Sequence, residues 1–177
     1  HPPAPARGGR ASEGEAGRHI TARNLDATGE ARKGMTAARF TENVEYREDA
    51  ARDGAPRLAR SQALTITLDG DAVSGAVFTG QAQFEERGLK ASAAAARYEP
   101  ARGVLRLEGA DQAGGPRVAD EQISIEADAI DITLEGRKMT AAGNVKTRLQ
   151  GKSKSPGLLK QGQPASVSAA RLQYEGE

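Results

Sequence analysis

The chain of 177 residues is long enough for one domain with a core, but 37% hydrophobic residues and only 3% aromatic residues indicate that this core is thin. The net charge is +1 and the charged residues are spread evenly, which argues against a nucleic-acid-binding surface. Cysteine is absent, which excludes thiol chemistry, disulfides and cysteine-based zinc sites, and no run of eighteen apolar residues is present to span a membrane.

The chain begins with a segment, residues 1–17, that is rich in Pro, Ala and Gly and has no hydrophobic periodicity, which predicts a linker or disordered lead-in. A first strand pair is predicted from Arg18 to Glu48. Propensity alone also permits a helix from Ala31 to Phe40. The strand is preferred because Met35-Thr36-Ala37 recurs as Met139-Thr140-Ala141 in a clearly alternating region.

The second predicted pair, Arg57 to Glu86, has the clearest alternation of apolar and polar residues in the chain. Its turn at Asp69-Gly70 is the strongest short-range signal of a β-hairpin. The apolar face is predicted to carry Leu64, Ile66, Leu68, Val73, Val77, Ala82 and Phe84.

The third predicted pair, Leu89 to Gln122, opens on an alanine-rich segment. Propensity favours a helix from Ala91 to Arg97. The sequence SAAAARYEP nevertheless aligns with SAARLQYEG near the end of the chain, with Tyr98 over Tyr174, so a strand is predicted. Its apolar face includes Leu105 and Leu107.

The fourth predicted pair, Ile123 to Gln150, has two alternating runs joined by a turn at Glu135-Gly136. The apolar parity changes near Asp128-Ala129, which predicts a bulge or a corner where the strand changes sheet or direction. The apolar face is predicted to carry Ile130, Ile132, Leu134, Met139, Ala141, Val145 and Leu149.

The chain ends with a predicted basic loop, residues 151–164, and a strand from Ala165 to Glu175 that includes Leu172. The last strand has no predicted partner after it, so it is expected to present a free edge to another strand.

One phrase recurs along the chain, a small residue followed by two positions and then two apolar residues in alternation. Its copies begin at Ala22, Ser61, Ala93, Ala127 and Ala169. A spacing of about thirty to forty residues, with a strand pair in each unit, predicts a repeat-built all-β protein in which no unit buries its own face.

Three motifs carry a resemblance to a known family. They are Ala127-Asp128-Ala129-Ile130-Asp131-Ile132, Ala142-Gly143-Asn144-Val145 and Ser168-Ala169-Ala170-Arg171-Leu172-Gln173-Tyr174. The chain resembles the OstA-like family, periplasmic lipopolysaccharide-transport proteins of the LptA and LptC type that also form the N-terminal domain of LptD. The likeness covers about Ile20 to Glu177.

The resemblance implies a partly open antiparallel jelly roll, a folded-over sheet with an apolar interior. It also implies a non-enzymatic module that binds lipopolysaccharide or a related lipid and joins similar modules through edge strands in the periplasm. The expected groove lining is Leu64, Ile66, Leu68, Val77, Phe84, Leu105, Leu107, Ile130, Ile132, Leu134, Met139, Val145 and Leu172, with Leu25, Val44 and Tyr98 also predicted inside. The alternative is that these residues fill the core of a ligand-free scaffold or adhesion domain.

No catalytic residue, metal or cofactor is expected. His1 and His19 lie in or beside the linker without a ligand partner at metal spacing, and no phosphate loop or HExxH motif is present. The carboxylates alternate with apolar residues, as on the solvent face of strands. A weaker hypothesis places the basic side chains Arg137, Lys138, Lys146 and Arg148 at the rim, facing anionic head groups.

The expected domain organisation is a lead-in, residues 1–17, and one domain, residues 18–177, truncated at its C-terminal end. The chain starts without Met and stops just after the fifth phrase, so we expect a piece of a longer protein that contacts a membrane only through a missing anchor or through partner proteins. The sequence leaves open a soluble bridge, a membrane-anchored adaptor and the N-terminal domain of a larger assembly protein.

Overall fold

The structure is a computed structural model and describes residues 17–49, 55–110, 112, 114–134, 136, 138–149 and 165–175. These residues form twelve β-strands and no α-helix. The first six are β1 (Arg18–Thr21), β2 (Asn24–Glu30), β3 (Gly34–Glu48), β4 (Arg57–Asp69), β5 (Ala72–Glu86) and β6 (Leu89–Glu99). The last six are β7 (Val104–Glu108), β8 (Arg117–Ala119), β9 (Ile123–Glu126), β10 (Ala129–Thr133), β11 (Lys138–Leu149) and β12 (Ala165–Glu175).

The all-β prediction is confirmed, including the two segments whose propensity also permitted a helix. Strand β3 runs through residues 34–40 and β6 through residues 91–97. In β6 the residues Ala91 and Ala93 are buried on one face, because this small side chain fits where two layers approach closely. The predicted basic loop, residues 151–164, and the lead-in up to residue 16 lie outside the described residues.

The strands form one antiparallel sheet that divides along its length. Three long strands each pair with two short strands in succession: β3 with β2 and β1, β6 with β7 and β8, and β11 with β10 and β9. The sheet therefore folds into two leaves. We call the leaf that contains β2, β7 and β10 the β7 leaf, and the leaf that contains β1, β8 and β9 the β8 leaf.

The long strands pass from one leaf to the other at a crease built from β-bulges. The strand register shifts between Thr41 and Val44, between Thr79 and Ala82, and between Ala142 and Val145. Left-handed backbone occurs in pairs at these points, with φ of 65° and 53° at Glu42 and Asn43, 77° and 53° at Gly80 and Gln81, and 78° and 48° at Gly143 and Asn144. Two successive left-handed residues turn the strand sharply without ending its pairing.

The recurring phrase of the sequence marks the same crease on the partner strands. At the fourth copy, the Asp128 amide donates to the Gly143 carbonyl at 2.8 Å, and a Cβ on Gly143 would lie 2.8 Å from the Asp128 Cβ. The strands on either side of this corner are β9 and β10, so the predicted corner near Asp128-Ala129 is confirmed, as a change of leaf within one sheet. The small residue before the corner is buried at Ser61, Ala93 and Ala127, where the two leaves are closest to each other.

Two inner faces, one on each leaf, enclose a single hydrophobic cluster. It is built mainly from medium-sized aliphatic side chains and alanines, with Tyr46, Phe78, Phe84 and Tyr98 as its buried aromatic members. The thin core expected from composition is thus a narrow apolar layer between two leaves. Within the described ranges, no helix is long and apolar enough to cross a membrane.

Candidate functional site: the cleft between the leaves

The inner face of the β7 leaf is a set of continuous apolar rows that cross the sheet perpendicular to the strands. Residues opposite each other in adjacent strands point to the same face, so the register defines each row. The row nearest the crease is Leu25, Phe40, Leu64, Phe78, Ala96, Leu107, Ile130, Ala141 and Leu172. The next row is Ala27, Ala38, Ile66, Ala76, Tyr98, Leu105, Ile132, Met139 and Tyr174.

The β8 leaf presents a matching row from the other side. It consists of Ile20, Tyr46, Ala59, Phe84, Ala91, Val118, Ile125, Thr147 and Val167. The space between the leaves is therefore apolar from one end of the sheet to the other, and we call this space the cleft.

Twelve of the thirteen predicted lining residues lie on the cleft side. Ten are buried, and they are Leu64, Ile66, Phe84, Leu105, Leu107, Ile130, Ile132, Leu134, Met139 and Val145. Leu68 and Leu172 are half-buried and pack against the same cluster. The alternation of the sequence thus predicts which side chains face inward.

Val77 is the exception, and its prediction as a lining residue is wrong. It is half-buried and lies opposite Thr65 and Arg97 on the outer face. A bulge in β5 between Val73 and Gly75 reverses the parity of the strand, so Val73 packs against the core while Val77 points outward. Phe78, which the sequence reading left out, takes the inward position and is 2% exposed.

The two leaves are staggered, so each end of the cleft has one uncovered wall. At the β2 end the whole of β2 is exposed, and Leu25 is 56% exposed although it belongs to an inner row, because the β8 leaf does not reach over it. At the β12 end, residues 166–170 of the β8 leaf are exposed, including Val167 at 55%. Leu25, predicted inside, thus faces the cleft but is not buried, and Leu149, predicted on the apolar face, is 45% exposed, whereas Val44 and Tyr98 are buried as predicted.

The centre of the cleft, in contrast, is closed by side chains. The rings of Tyr46 and Phe78, one from each leaf, pack edge to face with their centroids 5.8 Å apart. Further along, a crevice of about 30 Å³ remains between Leu89 of the β8 leaf and Ile132 and Met139 of the β7 leaf. That volume is about the share of one water molecule in the liquid, so the centre holds no acyl chain in this state.

A hydrogen-bonded cluster closes the mouth of the cleft, opposite the crease. Glu48 accepts from the Tyr46 hydroxyl at 2.9 Å and from the Arg57 Nη1 at 3.1 Å. Arg57 Nη1 also lies 3.4 Å from the hydroxyl of Tyr98, which reaches across from the β7 leaf. Arg18 contacts Glu48 from the other side at 3.4 Å. We call these five residues the mouth cluster.

Burial gives the mouth cluster its electrostatic character. Removal from water raises the pKa of Tyr46 above its ordinary value, and the adjacent carboxylate of Glu48 raises it further. Burial also raises the pKa of Tyr98, with Glu48 acting in the same direction and the Arg57 cation opposing both. At neutral pH both phenols therefore remain neutral, with Tyr46 donating to Glu48 and Tyr98 accepting from Arg57, and the two arginines stay charged.

The rim cations predicted from sequence are not the cations of the mouth. Lys146 and Arg148 are exposed and alternate with the buried Val145 and Thr147, so they point away from the cleft. Lys138 is exposed and pairs with Glu175, and Arg137 lies outside the described residues. The cations at the mouth are Arg18 and Arg57, and the alternation of their strands places both on the inward face. That parity was the signal that could have identified them.

In the part of the chain that the structure describes, no group of three or more His, Asp or Glu is placed to hold a metal ion. The same described part contains no buried side-chain nitrogen or oxygen without a hydrogen-bond partner. The arrangement is suited to burying apolar chains and to contacting an anionic group at the mouth.

Comparison with solved structures identifies the fold. It resembles that of LptH, the LptA homologous periplasmic component of the conserved lipopolysaccharide transport device from Pseudomonas aeruginosa, with a TM-score of 0.57. The match covers 85% of this chain and 94% of the LptH chain at 14% sequence identity. The predicted LptA-like β-jelly-roll fold is confirmed. No protein-family model and no curated protein matches the sequence.

Proposed function

We propose that this chain, which has an LptA-like fold, is a non-enzymatic lipid-transport module of the periplasm. Residues 18–177 would act as one domain that holds the acyl chains of lipopolysaccharide or a related amphiphile between the two leaves. The lining consists of the twelve inward-facing residues predicted from sequence, together with Phe78 and Tyr46. LptH, which shares the fold, is a component of a lipopolysaccharide transport device.

The observation that carries the proposal is the continuity of the apolar rows across the sheet, with an uncovered wall at each end. The row that begins at Leu25 and ends at Leu172 crosses nine strands, so it forms one unbroken apolar wall along the cleft. Each acyl methylene buried along such a wall contributes roughly 0.8 kcal/mol. Such a surface can receive an acyl chain at an open end and pass it along the row.

The stagger supports the further proposal that similar modules join end to end. The β7 leaf extends beyond its partner at the β2 end, and the β8 leaf extends at the β12 end. In an end-to-end stack, the exposed β8-leaf wall with Val167 would cover the exposed β7-leaf wall with Leu25 of the next module. Edge strands β2 and β12 would pair and continue the sheet.

A second function, a ligand-free scaffold, is favoured by one observation. The centre of the cleft is closed, with Leu64, Ile130 and Ile125 fully buried, and the crevice between Leu89, Ile132 and Met139 measures only about 30 Å³. If this closed state were the only one, the inner rows would serve only as a hydrophobic core. The uncovered ends are what this alternative leaves unexplained, because Leu25 and Val167 belong to inner rows and yet remain exposed there.

Photo-crosslinking in cells tests the two functions against each other. A benzoylphenylalanine at Leu172, half-buried on the cleft side, is expected to give an acylated adduct after irradiation. The matched control is the same substitution at Val77, half-buried on the outer face, which is expected to give none. A third label at Phe40, in the same inner row but near the other end, tests whether lipid occupies the length of the cleft.

The two functions predict different crosslinking results. Adducts at Leu172 and Phe40 but not at Val77 support the lipid-transport module. The absence of adducts at all three positions, in protein shown to be folded and exported, would contradict it and favour the scaffold. Equal adducts at Val77 and Leu172 would mean non-specific contact with membrane lipid.

A further inference from the structure

The mouth of the cleft is edged by a charged row on the β8 leaf. Arg18, Glu48 and Arg57 are opposite one another in β1, β3 and β4, on the same face as the apolar row beneath them. Arg57 also contacts Glu86 of β5, with 3.5 Å between its Nε and Oε1. The apolar surface of the cleft thus ends directly at a line of charges, which is the boundary that an amphiphile has between its tail and its head group.

The contact between Arg57 and Tyr98 crosses from one leaf to the other. Tyr98 belongs to the same inner row of the β7 leaf as Ile132 and Met139, and its hydroxyl meets Arg57 of the β8 leaf at 3.4 Å. The crevice beside Ile132 and Met139 of that row measures about 30 Å³. An acyl chain cannot pass the centre of the cleft unless the leaves separate there, and separation breaks this hydrogen bond.

Glu48 occupies the place that an anionic head group would need. Its two carboxylate oxygens accept from Tyr46, Arg57 and Arg18 together, and the side chain of Glu48 is only 10% exposed. Three donors converge on one carboxylate, which is the geometry that binds a carboxylate or phosphate strongly. Glu48 is the last residue of β3 and therefore lies at the rim of the cleft.

We propose that Arg57 and Arg18 form the head-group site for an anionic amphiphile, in which the anion replaces Glu48 and the acyl chain displaces Tyr98. This inference rests on the proposed lipid-transport function and names the ligand class and the residues that admit it. Glu86 and Asp120 line the mouth on the β12 side of Arg57, where their charges repel an anion. The head group therefore binds on the β1 side, between the two arginines.

The test measures how purified protein binds a fluorescent long-chain polyene fatty acid and the methyl ester of the same acid. The two probes share the acyl chain and differ in head-group charge. Wild-type protein is expected to bind the acid about tenfold more tightly than the ester at neutral pH and low salt, because the acid gains charge-assisted hydrogen bonds. Added salt is expected to weaken only the binding of the acid.

Three variants separate the roles of the mouth residues. Tyr98→Phe removes the hydrogen bond between the leaves and is expected to tighten the binding of both probes by about threefold to tenfold. Arg57→Gln is expected to abolish the preference for the acid. Arg60→Gln is the matched control, since Arg60 lies three positions along the same strand, on the outer face, paired with Glu45 at 3.2 Å, and it is expected to change neither value.

Folding of each variant is checked by circular dichroism, because Arg57→Gln removes the cation beside Glu86 and leaves Glu48 with Arg18 alone. If that variant unfolds, the comparison of acid and ester in wild-type protein and in Arg57→Lys carries the test, and Arg57→Lys is expected to keep a preference for the acid. Equal binding of acid and ester by wild-type protein, or an unchanged preference in folded Arg57→Gln, overturns the head-group site. Unchanged affinities in Tyr98→Phe overturn the role of Tyr98.

The outcomes also separate this inference from the function on which it rests. Binding of both probes with equal affinity would leave the lipid-transport module standing and remove the head-group site. Failure of wild-type protein and of Tyr98→Phe to bind either probe would contradict the proposed function together with the inference.

Discussion

The closed centre and the uncovered ends of the cleft are made from the same rows of residues. Ile130 within one row is fully buried, whereas Leu25 at the end of that row is 56% exposed. Both point to the inner face of the β7 leaf, and only the cover provided by the other leaf differs. The same aliphatic side chain is therefore core in one place and binding surface in the other, depending on the stagger of the leaves.

The largest expected effect comes from truncating the same type of side chain in the two regions. Ile130→Ala removes buried methylenes and leaves a cavity between packed leaves, which is expected to lower the free energy of unfolding by about 2–5 kcal/mol. Leu25→Ala removes a side chain that is mostly in water already, so a change within about 0.5 kcal/mol is expected. Urea unfolding followed by circular dichroism measures both values.

Similar costs for the two variants would break the comparison. If Leu25→Ala destabilised the protein as much as Ile130→Ala, a second chain would have to cover Leu25 in solution, and sedimentation at several concentrations would detect it. Lipid carried through purification would have the same effect and is removed by extraction before unfolding.

The second-largest loss of stability is expected at the crease, because the centre stays closed only if the strands can bend sharply there. Gly143→Ala places a Cβ at a backbone φ of 78° and within 2.8 Å of the Asp128 Cβ. The left-handed backbone alone costs about 1–2 kcal/mol for an L-residue, and the clash adds to it, so we expect a loss of about 3 kcal/mol. Gly70→Ala is the control, since Gly70 has a φ of 62° in a hairpin turn with nothing within 4 Å of the added Cβ.

The control is expected to lose only about 1 kcal/mol, the cost of backbone strain without a clash. The difference between the two variants measures the close approach at the crease. Equal losses, by the same urea unfolding measurement, would show that the contact between Gly143 and Asp128 yields easily and that the crease is not a rigid corner.

Local alternation and the repeated phrase were enough to predict the strands and most of the lining. The phrase was informative because it contains the change of parity at the crease. In β4 both Ser61 and Leu64 point inward, although residues three positions apart in a regular strand point to opposite faces. The helix propensity of the alanine-rich β6 was overruled by the fold, since small residues are what the narrow cleft accommodates there.

Three features lay beyond sequence reasoning because they depend on how distant segments meet. The bulge that turns Val77 outward is a property of the pairing between β4 and β5. The exposure of Leu25 depends on the stagger of two leaves, which no single strand encodes. The contact of Arg57 with Tyr98 joins residues 41 positions apart, and only the crossing of the leaves brings them together.

The smallest loss of stability is expected on the outer face of the β8 leaf, behind the closed centre. Arg117 and Glu126 are opposite each other in β8 and β9 and form an ion pair with side chains 54% and 42% exposed. The hydrogen bond from Arg117 lowers the pKa of Glu126 below its ordinary value of 4.5, against a small opposing effect of burial. Solvent screening at this exposure limits the contribution to about 0.2–1 kcal/mol.

The sign of the pH dependence follows from that lowered pKa. A carboxylate that is more acidic in the folded state stabilises the fold above its unfolded pKa and loses this contribution as the pH falls through the folded value. Glu126→Gln is therefore expected to be less stable than wild type by about 0.2–1 kcal/mol at neutral pH, with the difference shrinking towards zero in acid. A difference that stayed constant with pH would indicate lost packing in place of lost charge. A loss of stability as large as that of Ile130→Ala would mean that the outer face, and not the contact between the leaves, holds the centre closed.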